Sequence, residues 1–84
     1  MAKKKKNTSI SKDDVKNILV VGQRIKEIRE HMNLSVYDIT GDDMPIKSRQ
    51  HWQRIENGQK NINLTTIFKI AKTLDVKVAE IFNY

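Results

Sequence analysis

Apolar residues recur along this chain at steps of three and four. Val15, Ile18, Val21 or Gly22, Ile25, Ile28 and Met32 follow that spacing, which places them on one face of an α-helix. The pattern predicts a first helix over residues 12–32. Ser11 and Asp14 stand at capping-box positions at its start. Gly22 lies inside it, where glycine costs about 1 kcal/mol relative to alanine, and marks either a break or a close contact. Asn33-Leu34 is a turn. Ser35 and Asp38 repeat the capping box, and Leu34 is spaced to staple onto Ile39, so a short helix is expected over 36–41. The run Gly41-Asp42-Asp43-Met44-Pro45 then interrupts the pattern. A third helix is expected over 48–57, with Trp52 and Ile55 on one side, Ser48 as N-cap and Asn57-Gly58 as its stop. Gln59 to Ile62 reads as a loop. Asn63 caps a fourth helix whose apolar face is Leu64, Ile67, Phe68, Ala71 and Leu74, ending near Asp75. Residues 77–82 form a last short helix carrying Val78, Ile81 and Phe82. No stretch alternates with period two over a useful length. The class is all-α: five helices around one core.

The outward face of the third helix carries the chemistry. At about 100° per residue, Gln50, Gln53 and Arg54 lie opposite Trp52 and Ile55, with Arg49 at the edge near the start. Arg forks match guanine O6 and N7 in the major groove, and Gln matches adenine N6 and N7. The alternative is an ordinary solvated polar face. Ser48 and His51 are too weak a pair for a nucleophile and its base, because the cap explains Ser48 and no orienting acid is evident. Two histidines without carboxylates at ligand spacing make no metal site. There is no Gly-rich phosphate loop.

Charge changes the picture at one end. The chain of 84 residues is one domain with a net charge of +6. Lys3, Lys4, Lys5 and Lys6 supply four of the sixteen basic residues, and the other twelve face ten acids, leaving +2 over residues 7–84. Residues 1–10 therefore read as a disordered basic arm on a mildly basic domain over 11–84. Such an arm suits a polyanion, most often nucleic acid, or serves as a solubilising terminus. The absence of cysteine removes disulfides and thiolate chemistry. The longest aliphatic run, Ile18 to Val21, is too short to span a bilayer, and no apolar signal-peptide region follows the lysines.

The motifs in their order, REHMNLS, SRQHWQRIENG, then NINLTTIFKIAKTLDVKVAEIF, resemble the lambda-Cro/XRE-type helix-turn-helix family over about residues 21–83. The run from Ile55 to Phe82 carries the most specific part. The resemblance implies a five-helix lambda repressor-like domain. In it the second helix crosses the DNA backbone and helix 48–57 lies in the major groove. It implies base contacts from Arg49, Gln50 and Arg54. Phosphate contacts are expected from Asn57, Gln59, Lys60 and Asn61, and from Ser48, His51 and Gln53 at the helix tip and flank. Arg29 and Glu56 stand where the family often has a structural ion pair. Two departures stand out. Val36 occupies a position where the family often has Gln, and it makes no phosphate hydrogen bond. The turn after the second helix is longer than usual and carries Asp42 and Asp43, so the third helix starts either near Pro45 or after Ser48.

The expectation is a sequence-specific transcriptional regulator of bacterial or phage type, cytoplasmic and nucleoid-associated. It is expected to bind double-stranded DNA as a homodimeric repressor, without a ligand-sensing module. No enzyme activity, cofactor, metal, membrane association or small-molecule ligand is expected. An antitoxin-like protein-interaction module on the same fold is the alternative. An RNA-binding protein is less favoured, since few aromatics are available for base stacking.

Overall fold

The computed structural model describes residues 12–83. The expected arm over 1–10, the Ser11 cap and Tyr84 lie outside the described residues. The helices are α1 (Lys12–His31), α2 (Val36–Ile39), α3 (Arg49–Glu56), α4 (Leu64–Leu74) and α5 (Val78–Ile81). Among the described residues there is no strand.

Each helix end has a local cause. α1 stops where Asn33 turns left-handed (φ 60°), and Leu34 N–H returns to the Arg29 carbonyl at 3.1 Å. α2 opens with a complete capping box: Asp38 N–H donates to Ser35 Oγ at 3.2 Å and Ser35 N–H to Asp38 Oδ2 at 2.7 Å. Hydrogen bonding from Ser35, its backbone N–H first and then its side chain, holds the Asp38 carboxyl below its ordinary pKa. Asn63 caps α4 through Thr66 N–H at 2.8 Å. α4 ends at Asp75, which is left-handed at φ 55°.

α2 is shorter than expected. It ends at Ile39 because Thr40 is extended and its hydroxyl donates to the Val36 carbonyl at 2.7 Å, satisfying a group the helix end leaves free. Gly41 follows at φ 131°, a backbone region that favours glycine. Its N–H donates to the Lys47 carbonyl at 3.0 Å, so the long turn closes on itself. Asp42 and Asp43 are exposed, whereas Ile46 is buried in the core. The extra length is therefore looped out. α3 starts at Arg49 with Ser48 as N-cap; a start near Pro45 does not occur.

Trp52, Ile25, Ile55, Ile70, Leu74 and Ile81 are the largest fully buried side chains. With Val36 and Ile39 of α2 in the same cluster, all five helices meet in one core. α1 runs unbroken through Gly22, and the glycine marks a close contact. A Cβ there would collide with the Ile55 carbonyl oxygen and stand 2.7 Å from that of Glu56. The apolar stripes read from the sequence are only partly inward. Ile67, Ala71 and Leu74 are buried, joined by Ile70, but Leu64 and Phe68 are 64% and 55% exposed. Residues 12–17 at the start of α1 are all exposed, Val15 among them, and Met32 is exposed at its end. Leu64, Val15 and Met32 lie at helix ends beyond the packed stretch, whereas Phe68 sits mid-helix and is rotated off the face formed by Ile67, Ile70, Ala71 and Leu74.

Candidate nucleic-acid interface

α3 is held on its inner side by packing and by a buried polar cluster. Trp52 and Ile55 are 0% exposed. Glu56, the last residue of the helix, is also buried. Its carboxylate accepts from Arg29 Nε at 2.7 Å, Arg29 Nη2 at 2.9 Å and Trp52 Nε1 at 2.6 Å. Arg29 Nη1 donates to the Leu34 carbonyl at 2.8 Å. The hydrogen bonds that Arg29 donates to Glu56 raise its pKa against the opposing effect of burial. One bidentate pair thus joins α1, the start of the turn into α2, and α3. No buried side-chain polar atom lacks a partner among the described residues. The Trp52–Glu56 bond is absent from the sequence reading, although the i, i+4 spacing permits it.

With that side fixed, the rest of α3 faces outward. Arg49, Gln50, Gln53 and Arg54 are all exposed, as are Asn57, Gln59, Lys60 and Asn61 in the following turn. Ser48 Oγ accepts from His51 N–H at 3.1 Å, and a hydroxyl used as acceptor still has a proton to donate. His51 stands apart from the exposed Arg/Gln face. It is half-buried in a shallow depression with Lys47, Ser48, Thr66 and Lys69. Burial pushes its imidazole below the ordinary value, and the charges of Lys60, Lys69 and Arg54 push the same way. Gln53 and Asn57 border a second groove, with Lys26 and Val36 on its other side. Lys26 and Lys69 belong to this basic surface, yet no local motif marks them. They come from α1 and α4, and only the tertiary fold brings them beside α3.

Arg49 makes a further contact between elements. Its guanidinium carbon lies 4.2 Å from the centroid of the Tyr37 ring on α2.

A helix capped by Ser35, a closed turn and a second capped helix with an outward Arg/Gln face are the parts of a helix-turn-helix. A helix-turn-helix family model matches residues 25–81. The chain belongs to the XRE-type helix-turn-helix family of DNA-binding transcriptional regulators. Among solved structures it is similar to the restriction-modification controller protein C.AhdI from Aeromonas hydrophila. The TM-score is 0.70 and the sequences are 31% identical, over 80% of this chain and 98% of that one. No curated protein matches the sequence. The family and the matched controller are DNA-binding regulators rather than enzymes. Among the described residues no helix is long and apolar enough to cross a membrane.

Proposed function

We propose that this XRE-family protein binds a specific double-stranded DNA operator by placing α3 in the major groove. It acts as a homodimeric repressor in the cytoplasm by occupying a promoter. The observation that carries this reading is the two-sidedness of α3. Arg49, Gln50 and Arg54 face outward from a helix whose other face is locked by Trp52, Ile55 and the Glu56 carboxylate. A rigid support of this kind keeps the forked side chains in register with base edges. Arg49 and Arg54 are assigned to guanine and Gln50 to adenine. Ser48, His51, Gln53, Asn57, Gln59, Lys60 and Asn61 are assigned to phosphates, which position the helix without reading sequence. Lys3 to Lys6 add affinity without specificity. Because this chain covers 98% of C.AhdI, control of restriction-modification genes is the regulatory setting we favour.

The test is an alanine series at Arg49, Gln50, Arg54 and Lys60 against a library of half-site variants. Each base-contacting change should cost about 1–3 kcal/mol and relax the preference at one base pair. Lys60→Ala should weaken all sequences alike. If all four variants behave like Lys60→Ala, α3 does not read bases.

A protein-interaction reading is favoured by Leu64 and Phe68, one turn apart on α4 and both exposed. If this surface grips a different protein, Phe68→Ser should abolish that capture while DNA binding persists.

A further inference from the structure

We propose that Tyr37 is a specificity-determining residue: its ring is the plate that holds the Arg49 guanidinium in position for base readout. The proposal rests on the reading of α3 as the base-reading helix. Tyr37 has no role in the core. It is 70% exposed, while its neighbours Val36 and Ile39 carry the buried side of α2. Both partners stand on anchored backbone. The Ser35–Asp38 capping box fixes the start of α2, and the Ser48 cap fixes the start of α3, of which Arg49 is the first residue. The closed Gly41–Lys47 turn sets the spacing between them.

The geometry leaves Arg49 competent to read a base. Stacking on an aromatic ring occupies the flat face of a guanidinium and leaves its N–H edges free. Those edges form the fork that meets guanine O6 and N7. An unsupported arginine at a helix tip samples many rotamers, and all but a few are lost when it docks. A ring 4.2 Å away removes much of that freedom before DNA arrives, which strengthens the correct contact more than the incorrect ones. The effect is confined to one base pair, because Tyr37 supports one side chain.

The experiment measures the affinity of the full chain for its selected operator and for each substitution at the base pair that Arg49→Ala desensitises. Tyr37→Leu should reduce discrimination at that pair by roughly two- to fivefold, as expected for an exposed cation–π contact. Preferences at other pairs and the melting temperature should be unchanged. Tyr37→Phe should retain full discrimination, since it keeps the ring. Tyr37→Leu combined with Arg49→Ala should discriminate no worse than Arg49→Ala alone. Unchanged discrimination in Tyr37→Leu overturns the proposal. Equal losses in Tyr37→Phe and Tyr37→Leu also overturn it, pointing to a hydroxyl contact, as does a loss spread evenly over all sequences. If Arg49→Ala itself alters no base preference, the failure lies with the base-reading assignment of Arg49, and the proposal for Tyr37 falls with it.

Discussion

Glu56 and His51 show how burial sets the role of a single charged residue. The Glu56 carboxylate accepts three hydrogen bonds, two from Arg29 and one from Trp52. Removing one partner of a buried pair leaves the other charge uncompensated, at about 3–5 kcal/mol. Glu56→Ala should therefore lower the melting temperature sharply and weaken DNA binding with it. A stability loss well under about 1 kcal/mol in chemical denaturation, a value typical of exposed pairs, would contradict this assignment. His51 acts in the opposite sense, because its folded-state pKa is lowered from 6.5 by burial and by Lys60, Lys69 and Arg54. Below pH 6.5 the unfolded chain takes up this proton first. Stability should thus fall as pH drops through the unfolded value, then level off once the folded form is also protonated. His51→Gln should flatten that part of the melting-temperature profile. DNA should reverse the trend for affinity, since a phosphate beside the imidazole favours its charged form. Operator affinity that falls on acidification from pH 7 to 6 at constant salt would remove His51 from the phosphate contacts.

The helices depend on one another at a few close approaches. Gly22 is the sharpest case. Local preference favours alanine at this position by about 1 kcal/mol, but a Cβ would meet the Ile55 and Glu56 carbonyl oxygens. Backbone oxygens cannot swing aside as a flexible side-chain end can, and overpacking of this kind costs about 1–3 kcal/mol. The tertiary effect should win: Gly22→Ala should lower the melting temperature despite its better helix propensity. A rise would mean that α1 and α3 stand farther apart at this point. Gly58 reports a second approach, since a Cβ on it would lie 2.9 Å from Leu19 Cα. The turn after α3 is thereby set against α1. Arg24 Nε donates to the Glu80 carbonyl at 2.9 Å and ties α1 to α5. Through these contacts α1 supports both ends of the domain, and the orientation of α3 follows from it.

For the whole molecule, one short reading helix meets only a few base pairs, too few to define a site in a genome. On the proposed homodimeric reading a second copy on a two-fold operator supplies the rest, with half-sites expected about 34–36 Å apart. We assign the proposed dimer surface to the C-terminal half, with exposed Phe82 as its candidate residue. Inserting half a helical turn of DNA between half-sites should sharply reduce affinity, and a full turn less so. Sedimentation of a saturated operator should give two chains per site; one chain would refute the dimer.

The sequence by itself determined the all-α class, the order of five helices and the caps at Ser35 and Asn63. These depend on neighbours within a few residues: a hydroxyl or amide three positions before an N–H, and apolar side chains at helical spacing. It also placed Gln50, Gln53 and Arg54 opposite Trp52 and Ile55, with Arg49 at the edge, since rotation per residue is a local property of the helix. It left open the start of α3 and the meaning of Gly22. Tertiary structure decided both, through the Gly41–Lys47 closure with Ile46 in the core and through the carbonyls of a helix 33 residues further on. It also turned Leu64 and Phe68 outward and brought Lys26, Lys69 and Tyr37 to the edges of α3. None of these follows from periodicity, because each depends on which other helix lies across the gap.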